Sequence, residues 1–349
     1  MAWNLLTELR KFPELELLAV LLNEGWLAEE LRSHDLEVRI IEERRLSFPR
    51  LLLAVRTFLR EKSPDVIHSH RYKENILAFF TRGAGRNRAR LVATQHGMPE
   101  PGPQGFKLAG RVVAWLNRHI LSRRFDRLVA VSHDMRDHFI GPLGFAPTRV
   151  VVIHNGIDIT DDRNSNGAGP RSQMVVGSAG RLFPVKDYLL MVKIARELCG
   201  EGKIYFTLAG DGVERMALEG SIKEFGLAET FTLKGNVEDM DSFYCELDLY
   251  VNTSLHEGIP MSILEAMAHG LPVVAPKVGG ITEIIADGVE GFLIPTRDPR
   301  DFAEKCLLLQ RDPALRMRMG LAARARVEGD FSAPAMAEQY RRLYHELAG

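Results

Sequence analysis

The sequence predicts an α/β protein of two doubly wound domains, and three observations carry that expectation. At 349 residues the chain has room for about two domains of roughly 150 residues each. Short apolar runs rich in Val, Ile and Leu alternate with amphipathic helical stretches, the grammar of parallel strands joined by helical crossovers. Between two such series lies 161–173, DDRNSNGAGPRSQ, with almost no apolar side chain and several Gly, Asn and Ser, which reads as a linker. The expected organisation is therefore 1–160, the linker 161–173, and 174–330.

In the amino half the expected strands are 15–22, 37–41, 66–68, 91–95, 128–131 and 150–153. In the carboxyl half they are 174–179, 205–209, 231–234, 249–252, 272–275 and 291–294. Beyond Arg300 the chain turns helical. Its last segment, 334–347, sets Met336, Tyr340, Leu343, Tyr344 and Leu347 at helical spacing, so one face must bury against a partner; we expect it to join the amino domain. Ligands of doubly wound sheets bind beyond the carboxyl ends of the strands, so with two facing domains the chemistry is expected in the cleft between them.

Composition removes several classes. Lys+Arg 45 against Asp+Glu 46 and 46% hydrophobic residues are ordinary for a globular chain. Cys199, Cys245 and Cys306 are odd in number and far apart, unsuited to a disulfide framework or zinc ligand set, and the expected compartment is the cytoplasm. No apolar run approaches the roughly 18 residues of a membrane span. Charge is uneven: residues 1–160 hold 24 basic and 18 acidic side chains, leaving 21 and 28 for the rest (45 − 24 and 46 − 18). Such asymmetry suggests different partners for the two halves.

Two constellations carry chemistry. After the strand 174–179 a Gly-containing turn holds Arg181 and Lys186, cations suited to a multiply charged phosphate, Arg by its fork and Lys as a point charge. The plain alternative is two solvated surface cations. After the strand 249–252 comes EGIPMSILE, with Glu257 in a loop, Pro260 favoured as first helical residue, Ser262 in the first turn and Glu265 deeper in the helix. Its free N–H groups could face an anion. Alternatives are a glycosidase-like carboxylate pair or a helix start that merely favours acidic charge. His68 and His70 alternate at a strand end and read as packing or loop residues, because no nearby Cys or carboxylate completes a metal site.

Taken together, Gly180-Arg181 with Lys186, Ala209-Gly-Asp-Gly212, Leu233-Lys-Gly-Asn-Val237, Glu257 with Glu265, Gly270-Leu-Pro-Val-Val274 and Gly279-Gly with Glu283 and Gly291 resemble the retaining GT-B glycosyltransferases of family 4. In the amino half Asp65-Val-Ile-His-Ser-His70, Thr94-Gln-His-Gly97, Val131-Ser-His133 and His154-Asn-Gly-Ile-Asp158 fit the same family in order. The resemblance implies two Rossmann-like domains, an acceptor domain first and a nucleotide-sugar domain second. By position, Arg181 and Lys186 would hold the donor diphosphate, and Gly258, Ile259, Pro260, Met261 and Ser262 would contact sugar and phosphate. Glu265 would hold the ribose, Val237 would flank the base and Glu257 would bind the transferred sugar. His96 would reach the reacting centre; alone it reads equally as a turn histidine before Gly97. The implied reaction moves a sugar from a UDP- or GDP-sugar to an acceptor hydroxyl with retention, without cofactor or metal, by electrostatic stabilisation of the leaving diphosphate. A nucleotide-sugar epimerase or a non-catalytic nucleotide-sugar-binding protein remains open.

Two further expectations concern the amino half. Arg82, Arg86, Arg88 and Arg90, then Lys107, Arg111, Arg118, Arg123, Arg124 and Arg127, interleave with Phe106, Val112, Val113, Trp115, Leu116, Ile120 and Leu121. Such a segment suits an anionic membrane surface and a glycan or lipid-linked acceptor, or else a packed helix with a solvated face; nucleic acid is not expected. The family also opens with a central strand and a Gly-rich loop, whereas Met1–Phe12 already reads as the helix that follows them, with Trp3, Leu5, Leu6 and Leu9 as its apolar face. The expectation is a start upstream of Met1, with the strand and loop absent and the chain as given poorly expressed or inactive; otherwise 15–22 shifts into the central position.

Overall fold

A computed structural model describes residues 1–83, 85, 88–97, 108–159 and 173–349, without the side chains of 108–112. Arg86, Phe106, Lys107, the side chains of Arg111 and Val112, and linker positions 161–172 lie outside these residues. The chain forms two compact units, Met1–Asp158 with Ala333–Gly349, and Ile159–Ser332.

The amino unit runs α1 (Ala2–Leu9), β1 (Leu18–Leu21), α2 (Trp26–Ser33), β2 (Glu37–Ile40), α3 (Phe48–Lys62), β3 (Val66–Ser69), α4 (Tyr72–Thr81), β4 (Arg90–Gln95), α5 (Leu108–Arg124), β5 (Arg127–Ala130), α6 (His133–Ile140) and β6 (Val150–Val152). Its strands fall into two parallel sheets, β1-β2 and β3-β4-β5-β6. The run expected at 15–22 thus pairs through Leu18–Leu21 with β2 alone and makes no ladder with β3. Side chains still join the parts: Leu18 and Val20 pack in the cluster of Val55, Phe58, Leu59 and Ile67, while Leu17 meets Val66 through the cluster of Leu5 and Leu9.

The last helix, α14 (Ala333–Ala348), belongs to this unit. Its periodic face buries Met336, Tyr340, Leu343 and Leu347 against Leu5 and Leu9 of α1 and Val92 and Val129 of the sheet. Fully burying such side chains stabilises by about 1.5–3 kcal/mol each. Ala333 N–H donates to the Ile157 carbonyl at 2.7 Å, fixing where the helix starts.

The carboxyl unit runs β7 (Met174–Ala179), α7 (Tyr188–Glu197), β8 (Ile204–Ala209), α8 (Arg215–Glu224), β9 (Phe231–Gly235), α9 (Met240–Cys245), β10 (Leu249–Val251), α10 (Met261–Ala268), β11 (Val273–Pro276), α11 (Ile281–Ile284), β12 (Gly291–Ile294), α12 (Pro299–Arg311) and α13 (Pro313–Asp330). One parallel sheet results, ordered β12-β11-β10-β7-β8-β9. From β7 the chain builds outward through β8 and β9, then returns to β7's other side with β10. The order therefore reverses between β7 and β10, the place where ligands of doubly wound sheets bind beyond the strand ends. Central strands buried on both faces explain the nearly unbroken apolar runs: Leu249, Tyr250, Val251, Val273 and Val274 are all fully buried.

Candidate functional site

Both constellations sit at that reversal. Arg181 and Lys186 follow β7; Glu257 and the start of α10 follow β10. The helix begins one residue later than expected, since Pro260 is the N-cap (φ −72°, ψ 116°) and Met261 the first helical residue. Pro260 lacks an N–H, so its place at the cap leaves the N–H groups of Met261 and Ser262 at the open end.

Lys186 and Glu257 pair directly. Lys186 Nζ donates to Glu257 Oε1 at 2.5 Å, and Ser254 Oγ donates to the same oxygen at 2.6 Å. Oε2 takes part in neither bond. With side chains only 22% and 12% exposed, this pair lies beyond the weak surface regime. The candidate phosphate cation is thus neutralised by the candidate sugar-binding carboxylate. Arg181 is exposed, and its guanidinium lies 5.0 Å from the centre of the Phe183 ring.

Backbone geometry holds Glu257. Its carbonyl accepts from Gly280 N–H at 3.1 Å. Gly279 approaches so closely, at φ +49°, that a Cβ there would lie 2.2 Å from the Glu257 oxygen, which only glycine can satisfy. Arg297, after β12, ties two loops together. It donates to the carbonyls of Ser254 (3.0 Å) and Thr253 (2.7 Å) and pairs with Asp187. Thr253 Oγ1 also donates to the Lys186 carbonyl at 2.9 Å.

Glu265 is half-buried in α10, and its Oε2 accepts from Tyr244 OH at 2.7 Å. Burial raises the Tyr244 phenol pKa, and the neighbouring Tyr250 and Glu265 push it further, so Tyr244 remains a donor. Burial likewise pushes Tyr250 up to about 12, and its OH accepts from Ala179 N–H at 3.1 Å, pinning the end of β7. Gly258, Ile259 and Pro260 are buried, Met261 and Ser262 are half-buried, and Val237 is half-buried just past β9.

In the amino unit His96 follows β4, and its Nε2 lies 3.1 Å from Nδ1 of His70 at the end of β3. His68 bridges Tyr344 OH (2.6 Å) and Thr94 Oγ1 (2.8 Å). Desolvation by surrounding chain, then the positive charges of the amino terminus and Arg71, lower the His96 pKa to about 4, although the ring keeps an exposed edge. Burial takes His68 to about 3 and His70 well below the ordinary value. All three are neutral imidazoles at pH 7.

Two family descriptions match consecutive stretches of the chain, "Glycosyltransferase Family 4" over residues 3–161 and "Glycosyl transferases group 1" over residues 158–326. The chain belongs to glycosyltransferase family 4. Among relatives of this family 4 member, an Escherichia coli UDP-Gal:alpha-D-GlcNAc-diphosphoundecaprenol alpha-1,3-galactosyltransferase is 25% identical over 85% of the chain and 79% of the relative. The D-inositol 3-phosphate glycosyltransferase of Nocardia farcinica is 28% identical over 82% and 68%. Anabaena HepE, solved with UDP and glucose, matches with a TM-score of 0.84 at 23% identity over 99% of this chain and 95% of that one. The fold is GT-B, two parallel α/β units of Rossmann-like build.

In this glycosyltransferase the sequence pointed to the charged residues that follow β7 and β10, and missed those that hold them. Tyr244, Ser254 and Arg297 carry no local signal, because each acts through a contact made only after β7, β10 and β12 align. From sequence His70 reads as a packing or loop residue; its pairing with His96 could be suspected from two histidines at the ends of adjacent parallel strands.

Proposed function

We propose that this glycosyltransferase transfers a hexosyl group from a UDP- or GDP-sugar to an acceptor hydroxyl with retention, in cell-surface polysaccharide, lipopolysaccharide or glycolipid synthesis. One observation carries the reading: Arg181, Lys186, Glu257 and the open start of α10 all follow the two strands that flank the sheet's reversal. UDP is favoured over GDP, since the Escherichia coli relative is named for UDP-Gal and HepE was solved with UDP.

The carboxyl unit is the donor domain in this proposal and the amino unit the acceptor domain. Arg181 and Lys186 bind the diphosphate, backbone groups from Gly258 to Ser262 contact sugar and phosphate, and the N–H groups of Met261 and Ser262 stabilise the charge as the sugar leaves, a form of preorganised electrostatic catalysis. Glu265, held by Tyr244, orients the ribose through its other oxygen, and Val237 borders the base. Glu257 uses Oε2 for hydroxyls of the transferred sugar while Oε1 keeps Lys186 placed. His96 is the amino unit's candidate catalytic group; as a neutral imidazole it can donate or accept without adding charge. The acceptor is a glycan or a lipid-linked molecule presented at an anionic membrane surface, a reading supported by the Escherichia coli relative named for a diphosphoundecaprenol acceptor. Among the described residues no helix is long and apolar enough to cross a membrane.

The test is a thermal-shift screen of nucleotide sugars, followed by measurement of UDP or GDP release with and without candidate acceptors. Stabilisation by one nucleotide sugar, with acceptor-dependent release, is expected. Release or isomerisation that ignores the acceptor would favour the epimerase reading instead.

A further inference from the structure

The amino unit holds a second concave site. A cavity of about 660 Å³ lies between the carboxyl half of α5 and the loop that joins α6 to β6, lined by Trp115, Arg118, His119, Arg123, Leu143 and Arg149 among others. On α5, positions 115, 118, 119 and 122 share one face by their three- and four-residue spacing. Away from that face Ile120 and Leu121 are buried.

The charge is one-sided. Among the described residues three arginines line the cavity, and no carboxylate does. Other arginines of this unit do meet acids: Arg82 and Arg90 share Asp126, and Arg127 pairs with Glu346. Two of the three are held by backbone oxygens instead. Arg118 donates to the Leu143 carbonyl at 2.8 Å, and Arg149 donates to the Ser122 carbonyl at 3.2 Å. Each of those bonds uses one N–H of a five-donor fork and leaves the cation's charge uncompensated. Grouped guanidiniums fixed in this way favour a phosphate, whose oxygens accept several N–H groups at once.

At the rim Trp115 is 62% exposed, its ring 5.2 Å from that of His119. A free phosphate gains nothing from an exposed indole, whereas a phosphate that carries acyl chains brings an interface where Trp is at home. The geometry points to a docking site for the phosphate headgroup of an anionic membrane lipid, with Trp115 entering the interface beside it. This deepens the membrane part of the proposed function by naming its contact point, and it is tested without donor or acceptor, so either reading can fail alone.

The full chain is mixed with phosphatidylcholine vesicles containing or lacking phosphatidylglycerol, at low salt, and binding is read by flotation and by tryptophan emission. Wild type is expected to bind only the anionic vesicles, with a blue shift that Trp115→Phe removes. Arg118→Gln with Arg123→Gln is expected to weaken vesicle affinity about 30-fold, near the sum for two cations at such a surface. The control pair Arg56→Gln with Arg60→Gln, exposed on α3, loses equal charge and should change affinity less than about threefold if screening confines the effect to the pocket. Equal losses in both pairs, or a blue shift that survives Trp115→Phe, would overturn the site. So would stabilisation by inorganic phosphate with no vesicle binding. Should the arginine pair fail to fold, Trp115→Ala at this exposed position decides by the same flotation.

Discussion

The two sheets of this glycosyltransferase are built from similar strands and joined differently. In the carboxyl unit β7 and β10 hydrogen-bond along one unbroken sheet, and both candidate constellations follow those two strands. In the amino unit β1 and β3 share apolar clusters on their faces yet no backbone ladder, so the sheet is divided. Apolar patterning places a strand in a layer; hydrogen bonds to a neighbour position its ends. A site that needs loops fixed to a fraction of an ångström is better supported by the continuous sheet.

The sharpest way to break this comparison is at two glycines. Gly210, just past β8 at φ +132°, would place a Cβ 2.0 Å from the Gly180 carbonyl, whereas Gly144 at φ +69° has nothing within 4 Å of its own. Gly144→Ala meets only the left-handed backbone cost, about 1 kcal/mol. Gly210→Ala adds a backbone clash at the turn that carries Arg181 and should cost about 3 kcal/mol or more, with loss of donor binding. Chemical unfolding of both variants checks this; equal costs would mean that the turn after β7 gives way freely.

Next in size is the pair that spans β7 and β10. Glu257→Gln keeps an oxygen for Ser254 and Lys186 but removes the charge that neutralises the lysine. Turnover should fall about 100-fold, while nucleotide affinity holds or rises because the diphosphate meets an uncompensated cation. Lys186→Ala should instead weaken nucleotide binding by about 1.5–3 kcal/mol. Calorimetric affinities beside turnover numbers separate the two, and parallel loss of affinity in Glu257→Gln would refute the division of roles.

Acid should distinguish the units. His68 and His96 have folded pKa values of about 3 and about 4, and His70 is also lowered, against an ordinary value near 6.5. The unfolded chain therefore binds protons first as pH falls, and the stability present above about 6.5 drains between there and about 3. Trp3, Trp26 and Trp115 all lie in the amino unit, so tryptophan emission follows that unit while circular dichroism follows both. The emission midpoint should drop ahead of the dichroism midpoint, and His68→Gln should flatten its slope. Identical pH profiles for the variant and wild type would show that these imidazoles do not govern it.

What the sequence made legible follows the same division. Alternating apolar runs located the strands of both units, because burial of Val251 or Leu91 depends only on lying in a layer. The charged residues after β7 and β10 were legible because their chemistry is local. The break between β1 and β3 was not, since a strand's pattern states which faces are covered and says nothing of its edges. Nor was Arg297, which grips the Thr253 carbonyl from 44 positions away, nor the bond from Tyr244 to Glu265. Contacts of that kind exist only after folding and leave no periodicity.

The smallest expected effect tests the last of these. Tyr244 is 1% exposed, and its OH donates to Glu265 Oε2 at 2.7 Å. Tyr244→Phe keeps the ring that packs beside Phe243 and Tyr250 and removes one hydroxyl. Without that bond Glu265 can turn within its half-buried site, and holding it for the ribose then costs part of the binding energy. The loss should be about 1 kcal/mol, or roughly fivefold in nucleotide affinity, with little change in turnover at saturating donor. The amino unit offers the matched control. Tyr344→Phe removes a similar hydroxyl, the one bonded to His68, and should leave nucleotide affinity unaltered while lowering the amino unit's stability. Equal affinity changes in the two variants would mean that the Tyr244 bond supports the fold in general and does not position Glu265.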